Sequence, residues 1–108
     1  MPDQITVREL ADWLADKTRP APLLLDVREA AEVQHCQIPQ SCHMAMQTVS
    51  VRMNELDVDA PIVCICHHGG RSMQVAHFLQ QHGFDHVINL TGGIHAWATE
   101  IDTAMAIY

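Results

Sequence analysis

Apolar positions along the chain follow two alternating rhythms. Leu23-Leu24-Leu25-Asp26-Val27, Ile62-Val63-Cys64-Ile65-Cys66 and Val87-Ile88-Asn89-Leu90 are short, nearly unbroken apolar runs, the pattern of strands covered on both faces. Around them the apolar residues recur at helical spacing. Thr6-Val7-Arg8-Glu9 has the form of a capping box, and Val7, Leu10, Ala11 and Leu14 continue from it. This predicts a helix to about Asp16, closed off by Pro20 and Pro22. A second helical stretch begins near Glu29 and fails before Ile38-Pro39, because a residue preceding proline is pushed out of helical geometry. Met46, Val49, Met53 and Leu56 predict a third, amphipathic helix. A fourth follows directly after Arg71, presents Met73, Val75, Ala76, Phe78 and Leu79 on one face, and stops at Gly83. Gly92-Gly93 then makes a tight turn, and Ile94 to Thr99 begins a short helix carrying Trp97. Met73 and Trp97 are expected in the core, and Trp13 over a helix-sheet contact.

Strands separated by helices predict an α/β fold with a mainly parallel central sheet and helices on both faces. At 108 residues the chain is expected to be a single domain, residues 1–108, with a core of about 5–100. In such sheets ligands bind beyond the carboxyl ends of the strands.

Composition narrows the function. Apolar residues are 48% of the chain and charged residues 18%, an ordinary globular balance. No apolar stretch is long enough to span a bilayer, and Met1-Pro2-Asp3 lacks the basic start of a leader, so a cytoplasmic protein with no membrane partner is expected. A net charge of −7 with six Lys and Arg residues argues against nucleic acid. The four cysteines, 36, 42, 64 and 66, lack the spacing of a disulfide framework and read as reduced thiols.

The chemistry concentrates in Cys66-His67-His68-Gly69-Gly70-Arg71-Ser72. An apolar strand delivers a thiol to a glycine turn, and a helix follows. Backbone N–H groups around such a turn, the positive end of the helix and a guanidinium all favour negative charge at the centre. The same field favours Cys66 as thiolate, the nucleophilic form. The glycines fit a tight ring that an anion must approach closely.

These segments closely resemble the rhodanese-like, or sulfurtransferase, family in its single-domain form, from Thr6 nearly to Trp97. Leu25-Asp26-Val27-Arg28-Glu29 is similar to that family's early Asp-Val-Arg signature, and Glu32 falls where its following acidic residue sits. Residues Cys66 to Ser72 resemble its active-site loop, and Gly92-Gly93-Ile94 with Trp97 its closing Gly-Gly-x-x-x-Trp pattern. Where the family commonly reads Gly-His-Ile-Pro-Gly-Ala, this chain has Cys36-Gln37-Ile38-Pro39-Gln40-Ser41, keeping Ile-Pro and losing both glycines. A differently shaped turn is the expectation there.

The resemblance implies transfer of sulfane sulfur from thiosulfate or a persulfide donor through a Cys66 persulfide, with cyanide, a thiol or a protein cysteine as acceptor and no cofactor. Residues His67 to Ser72 would bind the anionic group. Arg71 is assigned partly to binding the anionic donor and chiefly to bracing the loop, through hydrogen bonds to carbonyls or to an acidic side chain such as Glu32. Asp26 and Arg28 are assigned to support, and the two histidines to the entrance. One alternative is a cysteine phosphatase or arsenate reductase; such loops hold five residues between cysteine and arginine, whereas Cys66 and Arg71 enclose four. Another is a persulfide carrier or binding module with little turnover. His35-Cys36 and Cys42-His43 show no standard metal-ligand spacing, and no metal site is assigned. Cys64 reads as a small core residue, and Cys36 and Cys42 as inert or as resolving thiols.

Overall fold

A computed structural model describes residues 1–108. Five strands form one fully parallel sheet: β1 (Asp3–Ile5), β2 (Leu23–Asp26), β3 (Cys42–His43), β4 (Ile62–Ile65) and β5 (Val87–Leu90), in the order β1-β5-β4-β2-β3. The predicted runs occupy the centre. Leu23 to Asp26 pair in register with Ile62 to Ile65, and β4 pairs in turn with β5. The two edge strands escape sequence pattern: β1 is three mostly exposed residues and β3 only two, too short for any periodicity to appear.

Helices α1 (Val7–Ala15), α2 (Ala30–His35), α3 (Val49–Arg52) and α4 (Gly70–Gln81) lie between the strands, and α5 (Gly93–Glu100) follows β5. The Thr6 capping box is present: Thr6 Oγ1 accepts from Glu9 N–H at 3.1 Å and Glu9 Oε1 accepts from Thr6 N–H at 2.9 Å. Two apolar layers form. One packs Leu25, Ile62, Cys64 and Cys66 against Val75, Ala76 and Leu79 of α4 and Val49 of α3. The other packs Leu24, Val63, Ile65 and Leu90 against Val7, Leu10 and Trp13 of α1 and Ile94 and Trp97 of α5. Helices therefore cover both faces.

The long third helix is a correction. Residues 46–56 form a 3₁₀ turn, the four-residue α3 and another 3₁₀ turn. Met46, Val49, Met53 and Leu56 all face the core as their spacing predicts, but Thr48, Val49, Ser50 and Val51 are poor helix formers. Thr48 Oγ1 also donates to the Ala45 carbonyl at 2.7 Å. Met73 is half-buried rather than a core residue, while Trp13 and Trp97 are buried.

The segment that lacks the two glycines still uses a left-handed residue. Gln40, directly after Ile38-Pro39, holds φ 68°, a conformation that costs a residue with a Cβ about 1 kcal/mol. The reason lies in packing: Ile38 is buried and the chain must turn at once to enter β3.

Candidate active site

Strand β4 ends at Ile65, and Cys66 stands just beyond its carboxyl end, 1% exposed. The next residues rise into a bowl that closes on α4, whose first residue is Gly70, so Gly70 and Arg71 lie in the helix's first turn rather than before it. Gly69 caps α4 at φ 114°, a left-handed backbone that favours glycine. At Gly70 an added Cβ would meet nothing within 4 Å, so this exposed glycine leaves the mouth open rather than permitting the turn.

Three donors converge on Cys66 Sγ. Gly69 N–H lies at 3.1 Å, Ser72 N–H at 3.3 Å and the Ser72 hydroxyl at 3.2 Å. Burial works to raise the thiol's pKa, but the Ser72 hydroxyl, the N–H groups of Ser72 and Gly69 and the His68 main chain outweigh it, and the net direction is down. Cys64 shows the contrast. Shut in the core without such donors, it is pushed up to about 12 by burial and by the neighbouring Cys66. The two thiols are thus shifted in opposite directions, Cys66 toward the nucleophilic form and Cys64 away from it.

Ser72 depends on a residue that sequence reasoning left unassigned. Asn89 on β5, 2% exposed, lies 2.5 Å from Ser72 Oγ through its amide. A hydroxyl has one proton. Asn89 Oδ1 and Cys66 Sγ are therefore alternative acceptors for it, and the Asn89 amide holds the hydroxyl beside the sulfur. The available signal was a buried amide in the otherwise apolar Val87-Ile88-Asn89-Leu90 run. Replacing the hydroxyl, Ser72→Ala, is expected to move the midpoint of Cys66 alkylation by iodoacetamide to higher pH and to slow alkylation several-fold at neutral pH. An unchanged pH profile would contradict the role given to Ser72.

Arg71 pairs with Glu32 rather than with Cys66. Its Nη1 and Nη2 meet Glu32 Oε1 and Oε2 at 2.7 and 2.9 Å, a fork that ties the first turn of α4 to α2. The Arg71 bond holds the Glu32 carboxyl down to about 2, against a smaller opposing effect of burial. Tyr108 extends this ion pair. Its hydroxyl donates to Glu32 Oε2 at 2.9 Å and accepts from Arg28 Nη1 at 2.9 Å, and its ring stacks on His67 with centroids 4.0 Å apart. No strand, helix or motif signal marked Tyr108, which lies beyond the last predicted element.

Arg28 and Asp26 are fully buried and do not touch Cys66. Arg28 Nε and Nη2 fork onto Asp26 at 2.9 and 2.6 Å, Nη2 also donates to the Cys36 carbonyl at 2.7 Å, and Nη1 to the Glu32 carbonyl at 3.2 Å. This pair fixes the end of β2 beside Ile65 and clamps the end of α2. Cys36 packs at the Arg28 guanidinium and Cys42 against the core below α3. His43 Nε2 is already engaged with the Arg28 carbonyl at 2.7 Å.

The second glycine turn completes the loop from below. Ile94 N–H donates to the Cys66 carbonyl at 2.8 Å and His95 N–H to the His67 carbonyl at 3.0 Å. A Cβ on Gly93, at φ 60°, would lie 2.4 Å from that Cys66 oxygen. Only glycine allows the approach.

Residues 6–100 match the family model for the rhodanese-like domain. The chain belongs to the rhodanese-like family. Over 98 residues it is 38% identical to a sulfurtransferase of Allochromatium vinosum, covering 91% of this chain and 90% of that protein. It is 43% identical over 77 residues to YtwF of Bacillus subtilis, named as a candidate sulfurtransferase, covering 71% of this chain and 74% of that protein. A rhodanese-like domain protein from Staphylococcus aureus superposes with a TM-score of 0.83 at 27% identity, covering 98% of each chain. The rhodanese-like resemblance expected from the Asp26, Cys66 and Gly93 segments, and the parallel α/β fold, are thereby established. No helix is long and apolar enough to cross a membrane.

Proposed function

We propose that this sulfurtransferase-family protein moves sulfane sulfur from a small anionic donor, thiosulfate or a persulfide, to a thiophilic acceptor through a persulfide on Cys66. The observation that carries this reading is the convergence of two N–H groups and one hydroxyl on a thiol whose pKa they depress. The thiolate attacks the outer sulfur of thiosulfate. A Cys66 Sγ–S bond forms, the donor's S–S bond breaks, and sulfite leaves with the electron pair, so that one negative charge stays on the new terminal sulfur. Preorganised N–H groups at the positive end of α4 stabilise that charge without reorganising. In the second step an acceptor such as cyanide takes the terminal sulfur as thiocyanate and returns the thiolate.

Each loop residue has a place in this scheme. Cys66 is the nucleophile. Gly69 and Ser72, with the His68 main chain, hold the charge; the rings of His67 and His68 stand at the entrance; Arg71, tied to Glu32, braces the turn. Asp26 and Arg28 support the neighbouring strand end. Two concavities, about 250 Å³ between α3 and α4 and about 340 Å³ beside Trp97, include none of the loop residues. The four residues between Cys66 and Arg71 enclose a smaller ring than the five of a phosphatase loop, which favours a small sulfur anion over a bulky ester.

Intact mass measurement tests the scheme. Protein treated with thiosulfate is expected to gain the mass of one sulfur and lose it to cyanide, with parallel lines in double-reciprocal rate plots. A protein that gains no sulfur yet hydrolyses a phosphate ester or reduces arsenate would overturn it.

A further inference from the structure

Docking α5 beneath the Cys66 loop has a second result. The His95 N–H bond to the His67 carbonyl sets the His95 side chain beside two other imidazoles. The rings of His67 and His68 lie with centroids 4.0 Å apart, His68 and His95 5.0 Å, and His67 and His95 6.0 Å. One nitrogen from each residue lies within 4.8 Å of the others. Two ring nitrogens here, His67 Nε2 and His95 Nδ1, are closed off from solvent and lack any hydrogen-bond partner. A buried polar atom without a partner normally costs stability. Both orphans fall in the one place where three imidazoles gather.

We propose that His67, His68 and His95 form a binding site for a zinc-class divalent metal ion, with three imidazole ligands and an open fourth position. Neutral imidazole suits zinc, and three histidines with one exchangeable ligand is a recurrent tetrahedral set. Zinc–nitrogen bonds of about 2.0–2.1 Å require nitrogens about 3.4 Å apart. The cluster must therefore close by roughly an ångström, within reach of a ring rotation by the exposed His68. Closure would also give the two orphaned nitrogens a partner. His95 belongs to α5 and has no part in the sulfur-transfer scheme, so the site is distinct from the nucleophile while sharing its loop.

The test is equilibrium binding of Zn²⁺ to tag-free protein, followed by native mass spectrometry, with Co²⁺ as a spectroscopic probe. One Zn²⁺ per chain is expected, together with the intense visible bands of tetrahedral Co²⁺ and no thiolate-to-metal charge-transfer band. His95→Ala and His68→Ala should each weaken binding by at least about 100-fold, beyond the usual effect of losing an outer-sphere partner. His86→Ala, at an exposed site outside the cluster, should leave it unchanged. Undisturbed binding in both cluster variants, a thiolate band, or no Zn²⁺ bound at micromolar concentrations would overturn the proposal. None of these readouts depends on sulfur transfer.

Discussion

A Cys66→Ala protein treated with thiosulfate stays at its unmodified mass, and its sulfur transfer to cyanide falls by on the order of 10⁴-fold or more. The magnitude follows from the covalent step, which no other group can carry once the nucleophile is gone. Cys64 cannot substitute. It is fully buried, and its thiol, pushed up to about 12, remains protonated at neutral pH. Cys36 and Cys42 are only partly buried, but Cys36 packs at the Arg28 guanidinium and Cys42 against the core below α3, and neither donates or accepts in the bowl. Cys66→Ser is the sharper variant, since it keeps the size and the hydrogen bonds while replacing the thiophilic atom. Both variants should melt as cooperatively as the parent protein. Sulfur loading that persists in Cys66→Ala would locate the nucleophile elsewhere and remove the basis of the scheme.

Arg28→Met is expected to destabilise the fold by about 3–5 kcal/mol without removing any group that touches Cys66. The guanidinium is 0% exposed and its Asp26 partner 1%. Truncation leaves a carboxylate in the interior without its counter-charge, the situation in which a broken buried pair costs most. It also strips donors from the Cys36 and Glu32 carbonyls and from the Tyr108 hydroxyl. For a domain of this size the loss corresponds to a fall in Tm of roughly 12–40 °C. Arg28→Lys should recover only part, because an ammonium cannot reproduce the planar fork on Asp26. The double variant Asp26→Leu/Arg28→Met should be more stable than Arg28→Met alone, since it removes the stranded charge. Urea denaturation measures all three. A loss below about 1 kcal/mol for Arg28→Met would show that the pair is not the anchor that its burial and bonds indicate.

The two effects separate chemistry from support, and the ion pair between Arg71 and Glu32 joins them. Glu32 receives the Arg71 fork from the loop, accepts from Tyr108, and offers its main-chain carbonyl to Arg28. The Cys66 loop and the buried Asp26–Arg28 pair are therefore linked through a single short helix, α2.

The central strands, the capped first helix and the thiol at a strand's carboxyl end could all be read from the chain. Each depends on near neighbours: an unbroken apolar run, a capping box, a glycine turn between strand and helix. The irregular 46–56 segment shows the limit of that reading, because its periodicity located the buried face but its β-branched residues decided the local conformation. The edge strands β1 and β3 were invisible for a related reason. They are too short to carry a pattern and exist because β5 and β2 offer them partners.

Asn89, Tyr108 and His95 belong to the other category. Nothing beside Tyr108 and His95 in the chain marks them, and Asn89 is marked only as an amide inside an apolar run. Asn89 acts on Cys66 through Ser72, Tyr108 folds back onto Arg28, Glu32 and His67, and His95 reaches the loop histidines because Gly93 lets α5 approach the Cys66 carbonyl. Periodicity and turn chemistry record what a residue needs from its neighbours along the backbone. Which distant side chains meet is set by strand order and helix docking, so the Cys66 loop was legible in its own segment, while the groups that surround the thiol and the three imidazoles beside it were assembled only by folding.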